Sequence, residues 1–248
     1  AEEYFDSGTG ADFLADRFAV GGTSATDINQ RQSPTCAFLA SMAARCDAGY
    51  NFASNIDYAG YDATGMPFYM VKLYNPSSGW FAQAIKFDGT TYSNDTATAK
   101  NDPSRVDESE SWPLLMNRAY MNYAKNSPSY TNPTFAMLTA SGAAPVHTAN
   151  NSTHLKTNLV NALNANKAVI TAVDHATFYG ITNHALAIVG QRGTFANLEL
   201  CIYNPWGRDS QNALGQDVAI NGGSATDGLF WISYSQFVTY FDAGIYVR

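Results

Sequence analysis

Residues 27–41 read Asp27-Ile28-Asn29-Gln30-Arg31-Gln32-Ser33-Pro34-Thr35-Cys36-Ala37-Phe38-Leu39-Ala40-Ser41, a polar, turn-forming lead-in that delivers one cysteine to the first position of an apolar helical run. A thiol reacts as its thiolate, and a helix N-terminus favours that form through its partial positive charge and free N–H groups. Gln30 precedes Cys36 by one short turn segment. Its side-chain amide can lie beside the Cys36 backbone N–H, giving paired donors for a developing oxyanion. A cysteine in an apolar run is also a small hydrophobe that packs well in a core. The segment by itself therefore supports either a nucleophile or a buried side chain.

Partners for a nucleophile come far downstream. Asn183-His184-Ala185-Leu186-Ala187-Ile188-Val189-Gly190 reads as a buried strand with a histidine at its entrance. Leu198-Glu199-Leu200-Cys201-Ile202-Tyr203-Asn204-Pro205-Trp206-Gly207 reads as a second strand running into a turn. Both runs are short and apolar, and Gln191-Arg192-Gly193-Thr194 separates them, so the pair predicts a hairpin with His184 and Asn204 side by side at one end. There His184 can take a thiol proton while the Asn204 side-chain carbonyl fixes its tautomer and ring orientation. Trp206 can cover that hydrogen bond. The other histidines are His147, His154 and His175, and His175, preceded by Asp174, competes with His184 for the role of base. Each residue also has an ordinary reading as a cap, a turn or a surface side chain. Gln30, Cys36, His184 and Asn204 in this order carry more than their parts.

That order resembles the papain-like cysteine peptidases, and the local words are similar to those of the calpain family. Val20 through Gln30 resembles the segment leading into the calpain nucleophile, and Cys36-Ala37-Phe38-Leu39-Ala40 its cysteine helix. Trp112 through Ala119-Tyr120 resembles the helix between nucleophile and histidine. His184-Ala185 and Asn204-Pro205-Trp206-Gly207 match the histidine and asparagine motifs, and Asp227-Gly228-Leu229-Phe230-Trp231-Ile232-Ser233 resembles the strand and turn that follow. The matches extend from about residue 18 to the C-terminus. Such a resemblance implies an α+β papain-like protease core of two subdomains with a cleft between them. Residues 1–142 would carry the nucleophile helix with Gln30 and Cys36, and residues 143–248 a β-rich half with His184 and Asn204. Cys36 would be the nucleophile, His184 the general base and acid, Asn204 the residue that orients it, and Gln30 the second oxyanion donor. The implied activity is hydrolysis of peptide bonds in protein or peptide substrates through a thioester acyl-enzyme, by a monomeric core.

The chain also departs from the family. Gln32-Ser33-Pro34-Thr35 stands where small residues and an acid are usual, and Asn183 where a glycine usually precedes the histidine. The same triad can serve acyl or amide transfer to an acceptor other than water, or persist in a peptide-binding module without turnover, and both alternatives stay open.

Calpain cores bind two calcium ions, so the resemblance raises two metal sites. At the first, Val20 and Gly22 offer backbone carbonyls and Asp27 a carboxylate, but the expected glutamate position falls near Pro128, where no acid lies. At the second, Asp227 is present with the Ala225 carbonyl, the next expected acid falls on Leu229, and Asp209 or Asp217 are the available substitutes. Calcium takes roughly six to eight oxygens, with several carboxylates for tight binding. Both sets read as incomplete, and the expectation is an enzyme that requires no cofactor.

Composition excludes other classes. With 14 Lys and Arg against 21 Asp and Glu, the net charge of −7 argues against nucleic acid and anionic membrane surfaces. No apolar run approaches the roughly 20 residues of a membrane span. Charged residues make up 14% of the chain, well below the roughly 25% of ordinary soluble domains, and Tyr, Asn, Ser, Thr and Gly take their place. That balance is associated with exported proteins, and a start at Ala1 is compatible with a removed signal or pro-segment. Of the three cysteines, Cys46 and Cys201 both fall in segments that read as core, which favours reduced thiols over a bridge.

Outward from these motifs, Ala1 to Asp16 reads as a loose acidic lead-in, and the Cys36 helix runs to about Ala44. Tyr50 to Tyr61 reads as loop, Met66 to Tyr74 and Trp80 to Phe87 as a hairpin, and Thr90 to Glu110 as a polar mobile stretch. Ser111 caps a helix to Ala124 with Pro113 in its first turn. Residues 126–153 read as a Ser/Thr/Asn/Pro-rich connection holding the subdomain boundary. Ser152 or Thr153 caps a helix over Leu155–Leu163, Ala168 to Val173 is a strand beside those of His184, Asn204 and Trp231, Ser233 to Phe241 is a short helix, and residues 244–247 close the sheet.

Overall fold

The computed structural model describes residues 23–30, 34–86, 112–124, 127, 129 and 131–248. The lead-in Ala1–Asp16, Val20 and Gly22, the stretch Thr90–Glu110, the Ser111 cap and Pro128 lie outside the described residues. The described chain is a mixed α+β structure built on antiparallel sheets. Among the described residues no helix is long and apolar enough to cross a membrane.

Helix α1 (Cys36–Asp47) sits at the centre, with Ala37 through Ala44 all buried. Apolar on every face, it has to be surrounded rather than laid on a surface. On one side it meets α2 (Trp112–Ala124) and α3 (Pro133–Ser141), which pack in turn on a three-stranded meander, β1 (Ile56–Tyr61), β2 (Pro67–Asn75) and β3 (Gly79–Lys86). Phe38 stacks on Tyr120 with ring centroids 4.0 Å apart, and Phe52 on Trp112 at 5.6 Å.

On its other side α1 meets a six-stranded sheet formed by β4 (Val146–Thr148), β5 (Val169–Val173), β6 (His184–Arg192), β7 (Glu199–Tyr203), β10 (Leu229–Ser233) and β11 (Ile245–Val247), in the order β10-β7-β6-β5-β11-β4. Every pairing in it is antiparallel. Successive side chains on a strand point to opposite faces, and here the faces differ in bulk. Ala168, Ala172, Ala185 and Ala187 pack in the cluster that holds α1, whereas Val169, Val173, Leu186, Ile188, Leu200 and Ile202 fill a second core. Helix α4 (Leu155–Asn164) and α5 (Tyr234–Tyr240) cover that second core with Leu155, Leu159 and Phe237. Small residues toward α1 let helix and sheet approach closely, and the close approach positions the site.

Several sequence readings need correction. The supposed loop Tyr50–Tyr61 contains β1, an edge strand paired with β2 through a bulge near Gly60. Its Gly and Asp content argues against a strand, but cross-strand pairing outweighs weak intrinsic preference. Residues 126–153 contain α3 and β4 rather than connection alone. The signals for α3 were local: the Asn132 side chain accepts from the Phe135 N–H at 3.2 Å, Pro133 opens the helix, and Gly142, at φ 74°, closes it. Helix α1 continues to Asp47, past Ala44, and α4 starts after His154 rather than at a Ser152 or Thr153 side-chain cap. A small hairpin, β8 (Ser210–Gln211) with β9 (Asp217–Val218), was not anticipated. The three-stranded sheet lies before Gly142 and the six-stranded sheet after it, while the core around α1 draws on both.

Candidate active site

Cys36 is the first residue of α1, and Thr35, its N-cap, contributes no capping hydrogen bond from its side chain. The backbone N–H groups of Ala185, Ala37 and Cys36 itself approach the thiol and favour its charged form. Burial outweighs them, so the thiol's pKa is raised, and the Asp174 charge adds to the rise. The N–H groups expected to favour the thiolate are present, and burial opposes them more strongly. Cys46 and Cys201 are free as well.

The segment carrying Gln30 is pinned to the other half of the molecule. Its backbone N–H donates to the Pro205 carbonyl at 2.6 Å, and the Tyr203 hydroxyl donates to the Ile28 carbonyl at 2.5 Å. These bonds fix Gln30, buried on the cleft wall, relative to the turn after β7.

His184 and Asn204 meet as the hairpin reading expected: His184 Nε2 lies 2.8 Å from Asn204 Oδ1. The rest of the Asn204 shell fixes which atom is which. Its Nδ2 donates to the Asp209 carbonyl at 3.0 Å, and its Oδ1 accepts from the Trp206 N–H at 3.0 Å. The atom facing His184 is thus an acceptor, so Nε2 carries the proton and Nδ1 is left with a lone pair. Trp206 covers the pair, its ring centroid 4.3 Å from that of His184. Burial drives the imidazole pKa down to about 4, with the Asn204 bond opposing part of that fall. Burial thus disfavours the charged form of both the Cys36 thiol and the His184 imidazole, and both residues line the same cleft.

Asn204 is also held through its main chain, its N–H donating to the Gly228 carbonyl at 2.8 Å. Gly228 sits at φ 73°, and a Cβ there would lie 2.8 Å from the Asn204 carbonyl oxygen. Only glycine fits both conditions. Asn183, the departure before the histidine, has φ 47°. Asparagine tolerates that left-handed backbone better than other residues with a side chain, and so can stand where glycine is usual.

A cleft of about 550 Å³ runs between these elements, lined by Gln30, Pro34 and Cys36, by Thr131 and Pro133 at the start of α3, and on the sheet side by Ala172, Asp174, Asn183, His184, Ala185 and Trp206. Gln30, Cys36 and His184 face one space, with Asn204 buried behind the histidine. His175 does not line it: its Nδ1 lies 3.2 Å from Asp242 Oδ2, and its side chain is almost fully exposed. His147 bonds the Ala243 carbonyl, and His154 precedes α4. Sequence spacing gave no hint that Thr131, Pro133 and Asp174 share this wall, since each arrives from a different connection.

Among the described residues, the carboxylates named for calcium, Asp27, Asp209, Asp217 and Asp227, are not grouped to hold a metal ion. Asp27 Oδ2 accepts from the Ser24 N–H at 2.5 Å and the Trp112 indole at 3.1 Å, which makes it a turn cap and a tie to α2. Asp227 Oδ1 accepts from the Leu229 N–H, and Asp217 pairs with Arg208 at 3.0 Å. Asp209 is buried, with Oδ2 on the Ile220 N–H. Among the described residues, no group of three or more His, Cys, Asp or Glu is placed to hold a metal ion. Hard cations need several carboxylate oxygens turned to one point, and these are turned to N–H groups and an arginine instead.

Asp209 carries a stability consequence. Its Oδ1 has no hydrogen-bond partner, and burial with the Asp227 charge, set against the Ile220 N–H, pushes its carboxyl up to about 6. A raised carboxyl stabilises the fold fully below its unfolded pKa near 3.8, and that contribution is lost as pH rises through 6. Asp209→Asn, which mimics the protonated form, is expected to gain thermal stability over the parent progressively from pH 4 to pH 7. Melting curves at fixed ionic strength across that range check it; a pH-independent difference would sink the idea.

No family model matches the sequence, and no curated protein matches it.

Proposed function

We propose that this chain is a cysteine endopeptidase of the papain-like type, with calpain cores as the family its local motifs resemble. The observation that carries the reading is the His184 Nε2–Asn204 Oδ1 bond of 2.8 Å beneath Trp206, on the wall of a cleft into which Cys36 opens from the head of a buried helix. Cys36 Sγ attacks the peptide carbonyl carbon as His184 Nδ1 takes the thiol proton. The oxyanion is met by the Cys36 backbone N–H and the Gln30 amide. Collapse breaks the C–N bond, His184 returns its proton to the departing amine, and a thioester remains. Water then attacks the thioester, gives its proton to His184, and the carboxylic acid leaves as the thiol is restored. Asn204 accepts from Nε2–H throughout and steadies the imidazolium formed in each half-reaction.

Hydrolysis of a fluorogenic peptide library, with titration by an epoxysuccinyl thiol inhibitor, tests this reading. Cleavage stoichiometric with labelling of Cys36 supports it. Amide products formed with an added amine, in place of acids, would mark a transferase. Absence of both cleavage and labelling would overturn it. Activity is expected to be the same in excess chelator and in millimolar calcium, because the carboxylates are committed elsewhere. A loss of more than about 2-fold on chelation contradicts that.

A further inference from the structure

We propose that the cleft selects substrates bearing a lysine or arginine beside the scissile bond, with Asp174 as the specificity-determining residue. This rests on the peptidase reading. Asp174 is the only residue with a formal charge among the described residues that line the cleft, and its neighbours there, from Gln30 and Thr131 to Asn183 and Trp206, are neutral. It follows directly on the last residue of β5, opposite His184 in the register.

Its main chain is clamped. Both carboxylate oxygens of Asp242 accept consecutive backbone N–H groups, from Asp174 at 2.7 Å and from His175 at 2.8 Å. His175 then spends its ring on Asp242 at 3.2 Å. The Asp174 carboxylate itself has no hydrogen bond or ion pair among the described residues. An exposed, unpaired carboxylate on a cleft wall, carried by a fixed main chain, is a ready partner for a cation.

The charge also bears on the chemistry. Asp174 raises the pKa of the Cys36 thiol, a smaller influence than burial or than the N–H groups that lower it. In the free site it therefore opposes thiolate formation. A cationic side chain bound against it removes that opposition when the thiol must lose its proton, so the interaction is stronger in the transition state than in the empty cleft. The net charge of −7 adds a long-range attraction of the same sign.

The test uses the full chain and a set of peptides identical except for Lys, Gln or Glu, placed in turn at each of the positions flanking the scissile bond. At one position the wild-type kcat/KM for Lys over Gln is expected to be about 10-fold, as for a partly desolvated charge pair, and to shrink as salt is raised. Asp174→Asn is expected to bring that ratio within about 2-fold, and Asp174→Lys to turn the preference toward Glu. Cleavage with no Lys preference at any position, or a preference unchanged in both variants, overturns the assignment and leaves the peptidase standing. No cleavage of any peptide by the wild-type chain overturns both.

Discussion

Replacing Cys36 with alanine is expected to remove peptide hydrolysis to the limit of detection, a fall of at least about 10⁴-fold, with almost no change in melting temperature. Loss of a nucleophile costs the whole covalent route, and groups that act as one unit fail together. The fold is insulated because Cys36 faces the cleft and alanine, which loses only the sulfur, keeps the helix start. Initial rates on a fluorogenic peptide and calorimetry of the same sample decide it. A variant that retains even a hundredth of wild-type turnover would move the nucleophile elsewhere and undo the proposed function.

Asn204→Ala should hit activity and stability together, and this combination separates orientation from attack. The substitution strips the acceptor from the His184 Nε2–H and the Trp206 N–H, and the donor from the Asp209 carbonyl, all at a fully buried position. Leaving buried polar groups unpaired costs about 1–3 kcal/mol each where water does not reach them, so three such groups set an expected loss of at least about 3 kcal/mol. Turnover should fall roughly 10²- to 10³-fold, in kcat more than KM, because the imidazole loses its tautomer and aim while substrate contacts persist. An additional signature is the histidine titration. Burial holds His184 at about 4, and the Asn204 bond is the opposing influence, so the variant should titrate lower still. A histidine that titrates unchanged in the variant, followed by proton NMR, argues that the bond does not act as described.

The constellation was legible in sequence because its members sit at element ends that announce themselves. Cys36 opens an apolar run, His184 enters a strand, and Asn204 precedes a Pro-Trp-Gly turn. The antiparallel hairpin then had to bring the histidine and asparagine to the same edge. What sequence did not give depends on pairing and burial between distant segments. Strand β1 exists because β2 offers it a ladder. Helix α3 lay in a stretch whose Ser, Thr and Asn content outweighed the Asn132-Pro133 start and the Gly142 stop. The environment of the thiol divides the same way: helix-terminal N–H groups are visible in sequence, whereas the desolvation that outweighs them is a property of the assembled cleft. For Asp27, Asp217 and Asp227, carboxylates that looked like remnants of metal sites proved to serve as a turn cap, an arginine partner and a loop clasp.

The layer of Ala168, Ala172, Ala185 and Ala187 between α1 and the sheet works as a shim. With Ile170 in the same cluster, these small side chains set how closely the helix that carries Cys36 approaches the strand that carries His184. The spacing across the cleft is therefore written partly into side chains with no reactive group of their own. Enlarging any of them would leave the triad intact in sequence and out of register in space. In this architecture, then, an inventory of the polar side chains describes the site only when the alanines are counted with them.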